Sequence, residues 1–468
     1  MLVLALFFCS GASALVYEVL WSRYLGLMLG STVQAQTVVL AVFMGGLAIG
    51  NRLFGKRSAG FENPLLAYGV LEMIIGIYAF FFSRFYHAGD ALFVAVGSRI
   101  VEAGFILLIF KLALSVSLLI LPTILMGGTL PIIATWLQRR AGLDPSARVG
   151  IFYAVNSLGA VTGAGLAGFV LVQNLGMVSS LELTGILNVF VGLVALVLGK
   201  RDMLQSPARP AVAPAAAPGA PLPPPESYPI RFGLLFALTG GISMGLEVLL
   251  ARALALIVGG SLQAFALVLM SFILGIGLGS VAISSIRFAR THGANTIFAL
   301  LLGAASWVVF NVMFIEVWTV FYSHARFGLA PNEAGYYWHE IGVAVMAFAV
   351  LGIPAAFLGA VVPLSIRLLG NSRLALGDQV GRLLTWNTLG AVAGVVLTGF
   401  VLMPVAGLRG ALATLSFLLF GIAAYLAFQR QQTRLLVVTV VIAAFGFLGI
   451  ASTGQTWRQV LGAGVFRI

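Results

Sequence analysis

Apolar residues run along this chain in stretches of about twenty, with polar residues gathered between them. A helix rises about 1.5 Å per residue, so each stretch is long enough to cross roughly 30 Å of hydrocarbon. The pattern places spans near 2–29, 33–54, 64–86, 110–138, 148–172 and 179–199. A second set lies near 232–258, 262–286, 294–322, 341–369, 380–403 and 408–427, and a thirteenth near 435–453. The predicted class is an all-α polytopic membrane protein.

The pattern also repeats. Gly11–Gly50 superposes without a gap on Gly240–Gly279 at a shift of 229 residues. Glu18 falls on Glu247, Arg23 on Arg252, Gly30 on Gly259, Gln34 on Gln263 and Gly46 on Gly275. Further on, LPTILMGGTLP (Leu121–Pro131) echoes IPAAFLGAVVP (Ile353–Pro363), and NSLGAVTGAGLAGFVL (Asn156–Leu171) echoes NTLGAVAGVVLTGFVL (Asn387–Leu402). A duplicated apolar chain predicts two similar halves with any substrate site between them. The expected organisation is a six-helix repeat over 1–200, a linker over 201–230, a second six-helix repeat over 231–428, a thirteenth transmembrane helix over 429–455 and a tail over 456–468. The linker, QSPARPAVAPAAAPGAPLPPPESYP, is Pro- and Ala-rich and reads as an extended cytoplasmic tether. Six spans per half make the two repeats parallel, as in the halves of major facilitator transporters. Residues Leu2–Ala14 look superficially like a signal-peptide core, but they match an internal span and are read as part of the first transmembrane helix.

Composition agrees. The chain is 60% hydrophobic and 9% charged, against about 25% charged residues in a soluble domain. The net charge of +12 would suggest nucleic acid in a soluble protein, yet alternate loops divide the cations 17 against 6. That bias is a topology signal: the N-terminus and the rich loops are expected in the cytoplasm of a bacterial-type inner membrane, and the C-terminus outside. No nucleic-acid partner is expected. Cys9 is the sole cysteine, which excludes an intrachain disulfide.

Glycines recur at four-residue spacing, as Gly46/Gly50, Gly275/Gly279, Gly159/Gly163 and Gly390/Gly394. These are packing positions, because lipid supplies no hydrophobic drive between helices. Pro122, Pro131, Pro354 and Pro363 are expected to kink the fourth and tenth spans at matched places. Tyr336, Tyr337 and Trp338 at a span end read as interface anchors, with a substrate vestibule as the other reading.

Ionisable groups inside the bilayer invite a functional reading. Glu18 and Glu247 occupy matched depths, each five residues before an arginine, Arg23 or Arg252. Five residues turn a helix by about 500°, so each pair diverges on its own helix. Crossed pairs between the halves are one expectation; a site for a cationic substrate or a proton is the other. Glu72 and Lys111 lack repeat partners and are expected either as a pair or with Glu72 as a proton or cation ligand. Gln34, Gln263, Asn156 and Asn387 recur in both halves and complete the candidate substrate set, with bridging between helices as their structural alternative. Soluble-enzyme signatures are missing: no P-loop, dinucleotide fingerprint, HExxH or Cys/His metal spacing. No cofactor and no metal are expected.

Two resemblances follow. Gly46–Arg57 is similar to the signature loop of major facilitator transporters, with Asn51 where an acid normally precedes the arginine; this puts that superfamily's gating salt bridge in question. The segments SGASALVYEVLWSRYLGLMLGSTVQA, MGGTLP (Met126–Pro131) and NSLGAVTGAGLAGF (Asn156–Phe169) resemble the membrane part of the fused major-facilitator/spermidine-synthase-like proteins. The resemblance implies a transporter-like bundle that handles a polyamine-like cation. The alternative it implies is a non-transporting anchor for a soluble aminopropyltransferase-like domain or a larger membrane complex. That domain's nucleoside-binding loop and catalytic Asp residues are absent here, and 456–468 resembles its first few residues. The charge bias generates a direct test. A tag at residue 468 is expected to react with membrane-impermeant label on intact cells; reaction only after permeabilisation contradicts the thirteen-span topology.

Overall fold

The computed structural model describes residues 1–29, 33–100, 104–140, 145–205, 230–285, 293–330, 332–368, 376–453 and 457. Helices in the first half are α1 Leu2–Leu29, α2 Val33–Ser58, α3 Pro64–Ile100, α4 Gly104–Arg139, α5 Pro145–Leu166 and α6 Val172–Gln205. The second half has α7 Ile230–Val258, α8 Leu262–Ser285, α9 Gly293–Met313, α10 Ile315–Phe327, α11 Glu333–Ala347, α12 Ile353–Gly359, α13 Val361–Leu368, α14 Leu376–Leu397, α15 Met403–Gln429 and α16 Thr433–Ser452. No strand occurs among the described residues. The linker and the tail beyond Trp457 lie outside the described residues.

Eleven stretches of the described residues are long and apolar enough to cross a membrane. Two are double length, Arg148–Met203 with 56 residues and Leu376–Gln429 with 54. A straight helix of that size would reach about 80 Å, far beyond the bilayer core. Both break at a glycine with positive φ, Gly176 (φ 73°, ψ 176°) and Gly407 (φ 67°, ψ 177°). That backbone region is essentially reserved for glycine. A π-helical turn precedes each break, Ala167–Leu171 in one and Thr398–Leu402 in the other.

The sequence repeat reappears in the helix contacts. In the first copy α1 packs on α5, α2 on α4 and α3 on α6; in the second, α8 packs on α12 and α9 on α15. The α7–α14 contact completes the correspondence. Gly11 faces the carbonyl of Asn156, and Gly240 faces that of Asn387. A Cβ built at Gly50 would lie 2.0 Å from the Ile124 oxygen, and one at Gly279 would lie 1.9 Å from the Ala356 oxygen. Gly163 and Gly394 meet the carbonyls of Ala12 and Gly241 in the same way. Each close approach puts backbone against backbone where only hydrogen fits. The helices gather into two compact units, one of Met1–Gly241 with Ser365–Val396, the other of Ile242–Leu364 with Leu397–Ile468. Apolar side chains such as Phe190 and Ile186 in the first, and Phe445 and Phe447 in the second, stay exposed, as lipid contact requires.

The two proline-bearing helices differ in regularity. The helix α4 runs unbroken through Pro122 and Pro131, whereas its counterpart has a π-helical turn at Phe348–Gly352 and a break at Ala360. A proline frees the carbonyl four residues before it, and in hydrocarbon that oxygen needs another donor. For Pro122 the oxygen belongs to Leu118, and Tyr78 Oη donates to it at 2.7 Å. For Pro354 it is Val350, taken by Asn311 Nδ2 at 3.3 Å. For Pro363 it is Gly359, taken by Ser280 Oγ at 3.2 Å.

The helix α16 lies along α9 within the second unit. Gln432 Nε2 reaches Asn295 Oδ1 at 3.4 Å near the start of α9, and Trp457 Nε1 donates to Val312 O at 2.6 Å near its end. Arg409 bonds Thr453 Oγ1 at 3.3 Å at that same end. Asn311 carries the most testable contact, since its Oδ1 also accepts from Trp318 Nε1 at 3.0 Å. Asn311→Leu is expected to destabilise the protein by about 1–3 kcal/mol, read from unfolding in detergent. Adding Pro354→Ala restores a backbone donor for Val350 and should recover part of the loss; strictly additive effects would contradict this account.

Candidate functional site

The helix α1 carries two separate polar features on different faces. Ser10, Tyr17 and Trp21 lie on one stripe, at steps of seven and four residues. Trp21 stacks on Tyr17 and on Phe82 of α3, with ring centres 5.2 and 5.1 Å apart. Tyr17 Oη donates to the Thr184 carbonyl of α6 at 3.0 Å. This stripe is anchored on α3 and α6.

Glu72 of α3 meets it from the other side. Its Oε1 accepts from Ser10 Oγ at 2.5 Å and its Oε2 from Asn188 Nδ2 at 2.7 Å. The residue is 1% exposed. Lys111 lies elsewhere, its ammonium 5.5 Å from the centre of the Phe93 ring. Among the described residues the Glu72 carboxyl thus has the donors Ser10 and Asn188, with the Tyr68 phenol also beside it, and no cation. The arrangement is as complete for a protonated carboxyl, donating to Ser10 Oγ, as for an ionised one. Neither partner was prominent in the sequence. Thr239 stands where Ser10 does in the repeat, Asn188 falls on Leu419, and no acid occurs over Ile297–Val309.

Glu18 differs from Glu72. It is half-buried, about 100° round the helix from Tyr17, and makes no hydrogen bond or ion pair with a described residue. Arg23 is exposed, while Glu247 and Arg252 are half-buried on α7 in the second unit. Gln263 is half-buried on α8, and the side chain of Gln34 lies outside the described ones. Asn156 and Asn387 sit at helix crossings, against Gly11 and Gly240.

Gly46–Arg57 lies within α2, and its Arg52 makes a salt bridge. Arg52 Nη1 lies 2.9 Å from Asp378 Oδ1, and Arg382 Nε 3.0 Å from Asp378 Oδ2. The carboxylate comes from the first turn of α14 and not from position 51. Gly381 faces the Asn51 carbonyl beside this bridge. An acid in a helix's first turn was the one available signal.

In the second unit a cleft of about 1020 Å³ opens beside the aromatic cluster, lined in part by Tyr322, Arg326, Glu333, Tyr336, Tyr337 and His339. His339 lies 3.3 Å from Tyr322 Oη and 3.3 Å from Glu340 Oε1. Burial pushes the Tyr322 phenol above its ordinary value, against the opposing pull of Arg326. Among the described residues no group of His, Cys, Asp and Glu is arranged to hold a metal.

Comparison with solved structures decides the architecture. The chain aligns over 91% of its length with the human organic anion transporter MFSD10 (TETRAN), at TM-score 0.56 and 14% identity. It aligns equally over 91% with the transporter FucP in its outward conformation, at 0.56 and 14%, and over 92% with the nucleoside transporter NupG, at 0.52 and 14%. This is the major facilitator fold. No protein-family model matches the sequence. Two curated proteins of Streptomyces coelicolor are similar to part of it. Polyamine aminopropyltransferase 2 is 32% identical over 209 residues, 43% of this chain and 35% of that protein. Polyamine aminopropyltransferase 1 is 24% identical over 197 residues, 42% and 34%. The chain thus spans about a third of the length of the curated relatives it matches.

The Glu72 geometry yields a clear expectation for this bundle. Glutamine can accept from Asn188 and donate to Ser10, so Glu72→Gln should stay within about 1 kcal/mol of the parent in thermal unfolding. Glu72→Ala strands the Ser10 hydroxyl and leaves Asn188 Nδ2 only the residue-72 carbonyl, at 3.1 Å, and should cost roughly 1–3 kcal/mol. A Gln variant as unstable as the Ala variant would show that Glu72 needs its charge.

Proposed function

We propose that this protein is a membrane transporter for a polyamine-like cation, with the Glu18 carboxylate meeting the substrate's charge. The observation that carries the reading is the state of Glu18: a half-buried acid inside a membrane span with no partner among the described residues. A carboxylate left in that state is costly unless a cation or proton joins it. Glu72, satisfied by Ser10 and Asn188, is another acid of the same unit and serves as a proton-holding site. Glu247, Gln263, Gln34, Asn156 and Asn387 are the further polar groups proposed for the substrate path, and Arg23, Arg252 and Lys111 the cations that balance it. The major facilitator fold supports transport as the activity class, and the partial likeness to polyamine aminopropyltransferases supports the substrate class. The proposed location is a bacterial-type inner membrane with the N-terminus cytoplasmic.

One observation favours a second reading. The matched proteins are aminopropyltransferases of which this chain covers 35% and 34%, so a bundle that anchors such a domain without moving anything is also supported. Uptake of labelled spermidine into proteoliposomes containing the purified chain separates the two. The transport reading expects saturable uptake, lowered by about tenfold or more in Glu18→Gln because a buried ion pair with the substrate is lost. Uptake no greater than in empty liposomes favours the anchor, and uptake unchanged in Glu18→Gln removes the role given to Glu18.

A further inference from the structure

At the end of the first unit that carries positive loops lies a cleft of about 420 Å³, walled by α1, α4, α5 and α6. Its rim is basic. The Arg140 guanidinium lies 4.8 Å from the centre of the Trp136 ring and is bonded to Asp202. Trp136 Nε1 donates to the same carboxylate at 3.2 Å. These contacts fix Arg140 at the mouth while leaving its side chain 54% exposed.

Arg148 lines the same cleft and is exposed, with no hydrogen bond or ion pair to a described residue. Lys200 and Arg201 precede Asp202 on α6 and are exposed too. Two arginines, Arg140 and Arg148, therefore line the cleft beside one carboxylate, Asp202. Below the rim the cleft turns apolar. Phe152 packs edge-on against Trp136 at 6.4 Å, and Ile151 stays 51% exposed on the side that meets lipid.

We propose that this cleft seats the headgroup of an anionic phospholipid. The phosphodiester lies at Arg148 and Arg140, and the acyl chains leave over Ile151 and Leu198. Three features carry the assignment. The charge is complementary to a phosphate and not to a cationic substrate. The volume suits a headgroup and falls in the range of small-ligand sites. The wall changes from basic to apolar over the depth at which a lipid changes from headgroup to chain, the arrangement by which basic pockets between transmembrane helices hold anionic lipids. The inference is independent of what the bundle transports.

Native mass spectrometry of the full chain, released from micelles holding equal phosphatidylglycerol and phosphatidylcholine, tests it. The parent should retain the anionic lipid about fivefold or more over the zwitterionic one. Arg148→Gln, which breaks no hydrogen bond or ion pair with a described residue, should lower that ratio at least about twofold without changing thermal unfolding, and Arg140→Gln/Arg148→Gln should bring it near unity. Arg430→Gln/Arg434→Gln, which removes two cations from another loop, should leave it unchanged. A ratio that survives Arg148→Gln, or that falls as much in the Arg430/Arg434 variant, overturns the site. Displacement of the lipid by millimolar inorganic phosphate would assign the cleft to a free anion and overturn the lipid as occupant.

Discussion

The structure is governed by what hydrocarbon withholds. It offers no hydrogen bonds to a backbone carbonyl that loses its helical partner, and no hydrophobic push between one apolar helix and the next. The protein answers the first lack with side chains from neighbouring helices. Tyr78, Asn311 and Ser280 each reach the oxygen that a proline has freed. It answers the second with glycine, so that α1 lies on α5 and α2 on α4 with a carbonyl where a side chain would be. Both answers appear in both copies of the repeat, and they hold the polar residues in place.

Much of this architecture is legible in the amino-acid order. Span positions follow from the length of apolar runs, and the Gly46/Gly50 and Gly275/Gly279 pairs mark two of the closest helix contacts. The prolines were less legible. Matched prolines lie in a continuous α4 but in a counterpart that carries a π-helical turn and an interruption at Ala360. The outcome depends on donors from other helices, which spacing within one helix does not reveal. The same limit applies to the acids. Glu72 stands out as an acid in an apolar run, but Ser10 and Asn188 are ordinary helix residues 62 and 116 positions away. Asp378 is hidden likewise, since its partner Arg52 is 326 residues distant.

The two copies share a frame and differ in chemistry. Glu72 and Asn188 belong to the first copy, where the second has leucines, and Ser10 has Thr239 as its counterpart. The cleft beside Tyr322 and His339 belongs to the second, built from α10, which with α9 occupies the place of the single long helix α3, and from the start of α11. Divergence of this kind fits a duplicated scaffold whose packing positions stay fixed while its polar positions are free to specialise. Glu18 and Glu72 show how far environment separates two like residues in one unit: one enclosed and satisfied, the other open and unmatched.

Substitution of every glycine by alanine, with folded membrane abundance as the readout, tests the central claim most directly. Loss should concentrate at Gly50, Gly159, Gly163, Gly275, Gly279, Gly390 and Gly394, where an added Cβ would lie within 2.1 Å of a backbone oxygen on another helix, and be similar between repeat-related positions. Gly26, Gly45 and Gly421, with nothing within 4 Å, should tolerate the change. Equal loss at both sets, or loss confined to one copy, would contradict a frame built twice on backbone contact.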